Sequence, residues 1–336
     1  MRSGAMSIRY FVSALAAGFL ALWAHAATAQ GTPVSEHGQL AVSGNHIVDE
    51  HGAPVTLRGM SLFWSQWMPQ YYNKATIDTL ASDWKVDVVR AAIGVDTGSD
   101  EPAGGILQNY EAERDRAFAV IDAAIDDGIY VVVDWHAHQP HPEEAIRFFK
   151  EVAHRYGAYP NIIYETWNEP LPKYSWAGDI KPYHQRVISA IRSIDKRNLI
   201  VAGTPVYSQG VDIAAADPLD FSNVAYVLHY YADEPAHQQP LMDKAEKAAR
   251  TVPIFVSEQG FVAATGDGSI NQEWSQKWWD FMNAHNISHL NWSVADKREG
   301  ASALRPGADP KGGFSRKERT ASGEKVYQYL RAQKTQ

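Results

Sequence analysis

Eight short apolar runs recur along the chain, most pairs separated by enough residues for a helix, and this alternation constrains the fold more than any other feature. The runs are residues 55–59, 86–92, 130–134, 162–165, 199–202, 224–228, 253–257 and 288–292. They read as continuous β-branched and aromatic stretches rather than strict apolar–polar alternation. Both faces of their sheet are therefore covered, and the strands are parallel. Between the runs, helical spacing connects Phe118, Ile121, Ala124 and Ile125, then Ala145, Ile146, Phe149, Val152, Ala153 and Tyr156, then Val187, Ile188, Ile191 and Ile194. Eight such units predict an α/β chain closed into a single (β/α)8 TIM barrel. A doubly wound open sheet is the competitor, but no Gly-rich turn of the dinucleotide or phosphate type supports it. Upstream, Gly44-Asn45 and His51-Gly52 supply the turns of a short N-terminal β-hairpin.

The first 29 residues read differently. Arg2 and Arg9, with no acid nearby, precede the apolar stretch YFVSALAAGFLALW and then AHAATAQ. That order is a secretory signal peptide, with cleavage expected after Ala29. The stretch is short for a bilayer span, so a retained anchor is the lesser reading. The expected organisation is a signal peptide over 1–29 and one domain over 30–336, secreted or periplasmic in a bacterium, free of membrane after cleavage, and monomeric. The barrel accounts for the whole of that domain, so no appended binding module is expected.

Composition narrows the chemistry. The sequence has no cysteine, which excludes disulfides, thiolate metal sites and a cysteine nucleophile. Lys and Arg number 31 against 39 Asp and Glu, a net charge of −8, so the surface has no electrostatic reason to bind nucleic acid. A neutral partner such as a glycan stays open. Eleven tryptophans are more than a core of this size needs, and a flat, partly apolar ligand would use some of them.

In a parallel barrel, chemistry gathers where the strands end. The second run ends in Arg90, the third in Asp134-Trp135-His136-Ala137-His138, and the fourth in Glu165-Thr166-Trp167-Asn168-Glu169-Pro170. The sixth ends in His229-Tyr230-Tyr231, the seventh in Glu258, the eighth in Asn291-Trp292. Two carboxylates in an aromatic bowl fit glycoside hydrolysis: one protonates the leaving oxygen, the other attacks or activates water. Glu169 and Glu258 are the expected pair, because the fourth and seventh strands lie across the barrel from each other. A separation of about 5–5.5 Å would mean a covalent glycosyl intermediate and retention, and a wider gap inversion.

The segments VVRAAIGV, VVDWHAH, YETWNEP, VLHYYAD, IFVSEQG and LNWSVADK occur in this order from residue 55 to about 299. Together they resemble glycoside hydrolase family 5, and most of all its bacterial endo-β-1,4-glucanases, the cellulases. The resemblance implies a (β/α)8 barrel and a retaining hydrolase of internal β-1,4-glucosidic bonds, acting on a glucan polysaccharide or oligosaccharide without a cofactor or metal. It implies Glu169 as acid/base and Glu258 as nucleophile. Asn168 would bond the 2-hydroxyl of the sugar under attack. Arg90 and Tyr231 would hold Glu258 ionised, and His136 and His229 would line the subsite and support Glu169. Trp292 would stack under a sugar ring, and Lys297 and Glu299 would touch the next sugar toward the non-reducing end. Trp67 and Trp176 would be outer platforms. Two departures, Gln259 after the nucleophile and the run SLFWSQW, leave the sugar contacts open.

Electrostatics adds an expectation. An ionised Glu258 favours an oxocarbenium-like transition state. Its charge should raise the pKa of Glu169 and keep that acid protonated. Glu165 is the alternative acid. A mannanase, xyloglucanase or mixed-linkage glucanase is the alternative within the family. His136 and His138, with His229, Asp134 and Glu258, would suit a metal-dependent barrel hydrolase. A glycan-binding protein without activity is the third class, but it would have little use for both glutamates.

Overall fold

The computed structural model describes residues 1, 31–96 and 104–334. The reading of residues 1–29 as a signal peptide falls, Met1 apart, outside the described residues. From Thr32 onward the chain forms one compact unit.

Two short antiparallel strands, β1 (Ala41–Ser43) and β2 (His46–Val48), make the expected hairpin. Gly44 takes the left-handed conformation that its tight turn requires. Eight parallel strands follow: β3 (Arg58–Leu62), β4 (Val88–Gly94), β5 (Tyr130–His136), β6 (Ile162–Glu165), β7 (Leu199–Ala202), β8 (Val224–Tyr231), β9 (Ile254–Gly260) and β10 (Ser288–Val294). They close into a barrel, β10 pairing with both β9 and β3. Among the described residues, helices of six residues or more follow the barrel strands: α1 (Lys74–Thr79), α2 (Tyr110–Asp127), α3 (Pro142–Tyr156), α4 (Lys181–Arg192), α5 (Val211–Ala216), α6 (Gln239–Ala249), α7 (Gln272–Ala284) and α8 (Ala321–Ala332). The chain is a (β/α)8 barrel with a small N-terminal hairpin.

The first barrel strand begins three residues later than its apolar run. Val55 and Leu57 are used instead in the barrel floor, packed with Leu40 and Ile47 of the hairpin segment and with Val88, Val132, Leu199 and Phe255. Along each strand the side chains alternate. On β5, Val131, Val133 and Trp135 join the layer between sheet and helices, while Tyr130 and Val132 fill the floor. The next inward positions are Asp134 and His136. On β4, Val88 lies in the floor and Ala92 in the cluster at the opposite end of the barrel, with Arg90 between them. The same period of two therefore carries each strand from apolar floor to polar rim.

On β9 the alternation breaks. Val227 pairs with Phe255, but His229 pairs with Glu258, so β9 spends one residue more than β8 over that stretch. Such a bulge re-aims side chains. Consecutive residues Ser257 and Glu258 both reach groups inside the barrel.

Candidate active site

Arg90 is the hub of the site and is fully buried. Its Nε donates to Glu165 Oε2 at 2.7 Å and its Nη2 to Glu165 Oε1 at 3.2 Å. Nη2 also reaches Asn168 Oδ1 at 2.6 Å and Asp134 Oδ2 at 3.0 Å. Nη1 donates to Glu258 Oε2 at 3.0 Å. The guanidinium is thus shared among three carboxyl groups and an amide. A forked, planar cation can do this; an ammonium cannot. Because Asn168 Oδ1 accepts from Arg90, its amide nitrogen is turned the other way, and the residue lines the cleft.

Glu258 and Glu169 face one another. One oxygen of each, with a ring nitrogen of His229, lie within 4.8 Å of one another. Tyr231 donates its hydroxyl to Glu258 Oε1 at 2.7 Å. Glu169 is flanked by two imidazoles. His229 Nδ1 lies 2.9 Å from Oε1, and His138 Nε2 lies 3.3 Å from Oε2. The other nitrogen of His229 meets Ser257 Oγ at 2.9 Å, and that hydroxyl donates to Glu165 at 2.7 Å. A continuous path of hydrogen bonds therefore runs from Glu169 through His229, Ser257 and Glu165 to Arg90.

The protonation pattern reverses one expectation. Burial opposes the charge on Glu169, but the hydrogen bonds from His138 and His229 outweigh it and hold the carboxyl at about 2. Burial likewise opposes a charge on His229, yet the Glu165 carboxylate 3.7 Å away, the bond to Glu169 and the field of Glu258 lift it to about 9. Glu258 lies above the ordinary carboxylate value: burial and the charge of Glu169 raise it, against His229, Arg90 and the Tyr231 hydrogen bond. The sequence-based expectation had Glu258 as the low-pKa acid and Glu169 as the raised one. It counted the neighbouring carboxylate but not the two imidazoles on Glu169. It also credited Glu258 with an arginine whose charge is largely spent on Glu165 and Asp134. The hydrogen-bonded Glu169–His229 pair therefore carries its proton mainly on the imidazole.

The other expected residues divide. Trp292, Lys297 and Glu299 line the cleft with Asn168, Glu169, Tyr231 and Glu258. Trp292 stacks against His136, with centroids 5.3 Å apart and planes 6° apart, and lies 5.1 Å from Phe63. Lys297 pairs with Glu299 at 2.6 Å. Trp67 is 42% exposed at the rim, 4.9 Å from Trp64. His136 lines the cleft but does not support Glu169. Its Nδ1 is taken by Asp134 at 2.6 Å, and burial drives its pKa well below the usual histidine value. His138, two residues later, has that role instead. Trp176 is not a platform: it is 4% exposed, packs against His184 and Tyr226, and donates its indole N–H to the Asp217 carbonyl. Glu165, the alternative acid, is fully buried behind the cleft and bound to Arg90.

Three participants were missed or underrated. Trp64 lies edge-on to His136 at 4.1 Å and helps wall the cleft. It sits in the run SLFWSQW, where only the rim tryptophan was singled out. Tyr207 lines a second hollow beside Glu169 and His229, together with Gln209 and Glu234. Val206, Tyr207 and Ser208 all have positive φ, near 56–57°. A β-branched valine pays for that conformation. The loop is tied to the acid-bearing segment by Tyr207 N–H to Pro170 O at 2.9 Å and Ser208 Oγ to Asn168 O at 2.7 Å. No periodicity marks such a loop. The third is His138, whose signal was the H-x-H pair itself.

Comparison with known proteins agrees with this geometry. Residues 48–298 match the family model described as Cellulase (glycosyl hydrolase family 5). The chain is 43% identical over 293 residues to Endoglucanase Z of Dickeya dadantii, covering 85% of this chain and 65% of that protein. It is 40% identical over 311 residues to an endoglucanase of Clostridium saccharobutylicum, covering 91% and 68%. The chain therefore spans about two thirds of the length of these curated relatives. Among solved structures, a variant of the catalytic domain of Thermobifida fusca endoglucanase, in complex with cellotetraose, superposes with a TM-score of 0.83 at 34% identity. That match covers 90% of this chain and all of the other.

Proposed function

The chain belongs to the cellulase family, glycosyl hydrolase family 5, and on that premise we propose that it is an exported endo-β-1,4-glucanase that cleaves internal bonds with retention of configuration. The observation that carries this reading is the opposition of Glu169 and Glu258 across the cleft, with carboxylate oxygens within 4.8 Å. That closeness of one oxygen of each supports direct attack on the anomeric carbon rather than activation of an intervening water.

The reaction proceeds in two displacements. When a glucan fills the cleft, water is excluded and the solvation of the Glu169–His229 ion pair is lost, which favours the neutral pair with the proton on Glu169. That proton passes to the glycosidic oxygen as its bond to the anomeric carbon breaks. An oxygen of Glu258 bonds to the same carbon, and the bonding pair leaves with the departing sugar. Arg90 and Tyr231 aim Glu258 at that carbon. Once Glu258 is an ester its charge is gone. Glu169, now a carboxylate held by His229, takes a proton from water, which attacks the same carbon and frees Glu258. Trp292 and Phe63 present apolar faces to the sugar. Export rests on the signal-like sequence of residues 1–29; action as a monomer is part of the same reading.

The test is chemical rescue. Glu258→Ala should lose turnover of an aryl cellobioside, and azide should restore cleavage by giving a β-ligated sugar's α-azide. If azide restores nothing while the variant is folded and still binds cellotetraose, the covalent role is wrong. A product profile on β-1,4-glucan, mixed-linkage glucan, xyloglucan and mannan separates the endoglucanase reading from its relatives, because one or two subsite contacts set that choice.

A further inference from the structure

The two imidazoles on Glu169 are not equivalent. His229 is buried and held at both nitrogens, by Glu169 and Ser257, each at 2.9 Å. His138 makes the longer bond, 3.3 Å to Oε2, and its side chain is 19% exposed. It lies just beyond the end of β5, with its ring between Trp64 and Tyr207, at 5.6 and 6.3 Å. Both partners line hollows that meet at Glu169. Oε2 is therefore the oxygen whose present partner an incoming glycosidic oxygen can displace.

Resting on the reading of Glu169 as acid/base, we propose that His138 is a positioning residue: it holds Oε2 of Glu169 before substrate binds and yields that oxygen to the leaving-group oxygen of a bound glucan. After the first displacement the aglycone departs and His138 re-engages Oε2, steadying the carboxylate that must orient the incoming water. The charged and titratable groups facing this pair include His229 and Tyr231 of β8, His237 just after it, Glu258 of β9, Asp134 and His136 of β5, Arg90 of β4, and Asp96 just after β4. Among them, His138 and His229 alone touch Glu169 through a ring nitrogen. Burial works against the imidazolium of His138, but the Glu169 bond and the fields of Glu169, Asp96 and Glu258 raise its pKa above the usual value. His138 thus favours the charged form of Glu169, the form that must take a proton from water in the second displacement.

The experiment compares His138→Ala and His138→Gln with the parent on 2,4-dinitrophenyl cellobioside, whose good leaving group makes hydrolysis of the glycosyl ester limit turnover, reading kcat and kcat/KM separately. A glutamine amide can donate to Oε2 as Nε2 does, without charge. His138→Ala should lose about tenfold in kcat, because the carboxylate that orients water has lost a donor. Its kcat/KM, which ends with formation of the ester, should stay close to the parent value. His138→Gln should recover most of kcat. An equal fall in kcat and kcat/KM would make His138 merely structural and overturn the proposal. So would a glutamine variant as slow as the alanine one, which also covers the case of a misfolded alanine variant. Azide rescue of Glu258→Ala is independent of this outcome, so the two readings fail separately.

Discussion

The hydroxyl of Tyr231 donates to Oε1 of Glu258 at 2.7 Å, while Oε2 of the same carboxylate takes its bond from Arg90 at 3.0 Å. Each oxygen of Glu258 has one donor, and each donor favours the ionised form. Burial and Glu169 push the other way and win, leaving Glu258 above the usual carboxylate value. If Glu258 is the nucleophile, kcat/KM should fall as pH drops through that raised value. Tyr231→Phe removes one of the opposing donors. Its acid limb should move to higher pH, with kcat/KM down about ten- to a hundredfold, the usual effect of losing a charge-assisted hydrogen bond. A pH profile on cellopentaose that keeps its acid limb would show that Tyr231 does not govern the ionisation.

Glu169→Gln can still accept one hydrogen bond but cannot supply a proton. On cellopentaose, whose leaving group is a poor one, turnover should drop by about 10²–10⁴. Formation of the glycosyl ester from 2,4-dinitrophenyl cellobioside needs no acid and should survive, seen as a pre-steady-state burst. Equal loss of that burst would mean that Glu169 is not the acid.

The two tryptophans expected as platforms should part company. Trp67→Ala removes an exposed rim indole, and its effect should appear as a higher KM for cellopentaose with unfolding unchanged. Trp176→Ala opens a hole beside His184 and Tyr226 and should cost about 3–5 kcal/mol in chemical denaturation. Its KM should stay close to the parent value. The reverse assignment in these two measurements would contradict the burial seen here.

Glu165 tests the buried network. Burial opposes its charge, but the charge and hydrogen bonds of Arg90 and the nearby His229 hold its pKa below the usual 4.5. Such a group stabilises the fold above the unfolded-state pKa, and that contribution is lost as pH falls through the folded value. Glu165→Gln should therefore lose about 3 kcal/mol near neutral pH, in line with breaking a buried pair. The gap to the parent should close in acid. Urea unfolding followed from pH 7 down through the acid range measures both; a gap that stays constant to the lowest pH at which the parent is folded would contradict the ion-pair account.

The barrel was legible because its signal is local and repeated. A strand covered on both faces must be apolar throughout, and a helix packed on one side must show its stripe. Neither depends on knowing the partner. The same period of two, followed from Val88 to Arg90 and from Val132 to Asp134, marks which polar residues enter the bowl. The opposition of Glu169 and Glu258 followed from counting strands around a closed ring. The first strand was misplaced by three residues because an apolar run does not say whether it pairs in the wall or fills the floor, and Val55 and Leu57 do the latter.

What the sequence determined alone was the set of chemical groups and the end of the barrel they share, since both follow from spacing along the chain. Which group owns which proton was decided only by the fold. One added residue in β9 turns Ser257 and Glu258 inward together. Arg90 gives Glu165 two of its bonds and Glu258 one. His136 turns to Asp134 and leaves Glu169 to His138 and His229. Charge interactions change sharply over a few ångströms in a buried site, and distances of that size between residues far apart in the chain exist only once the barrel has closed.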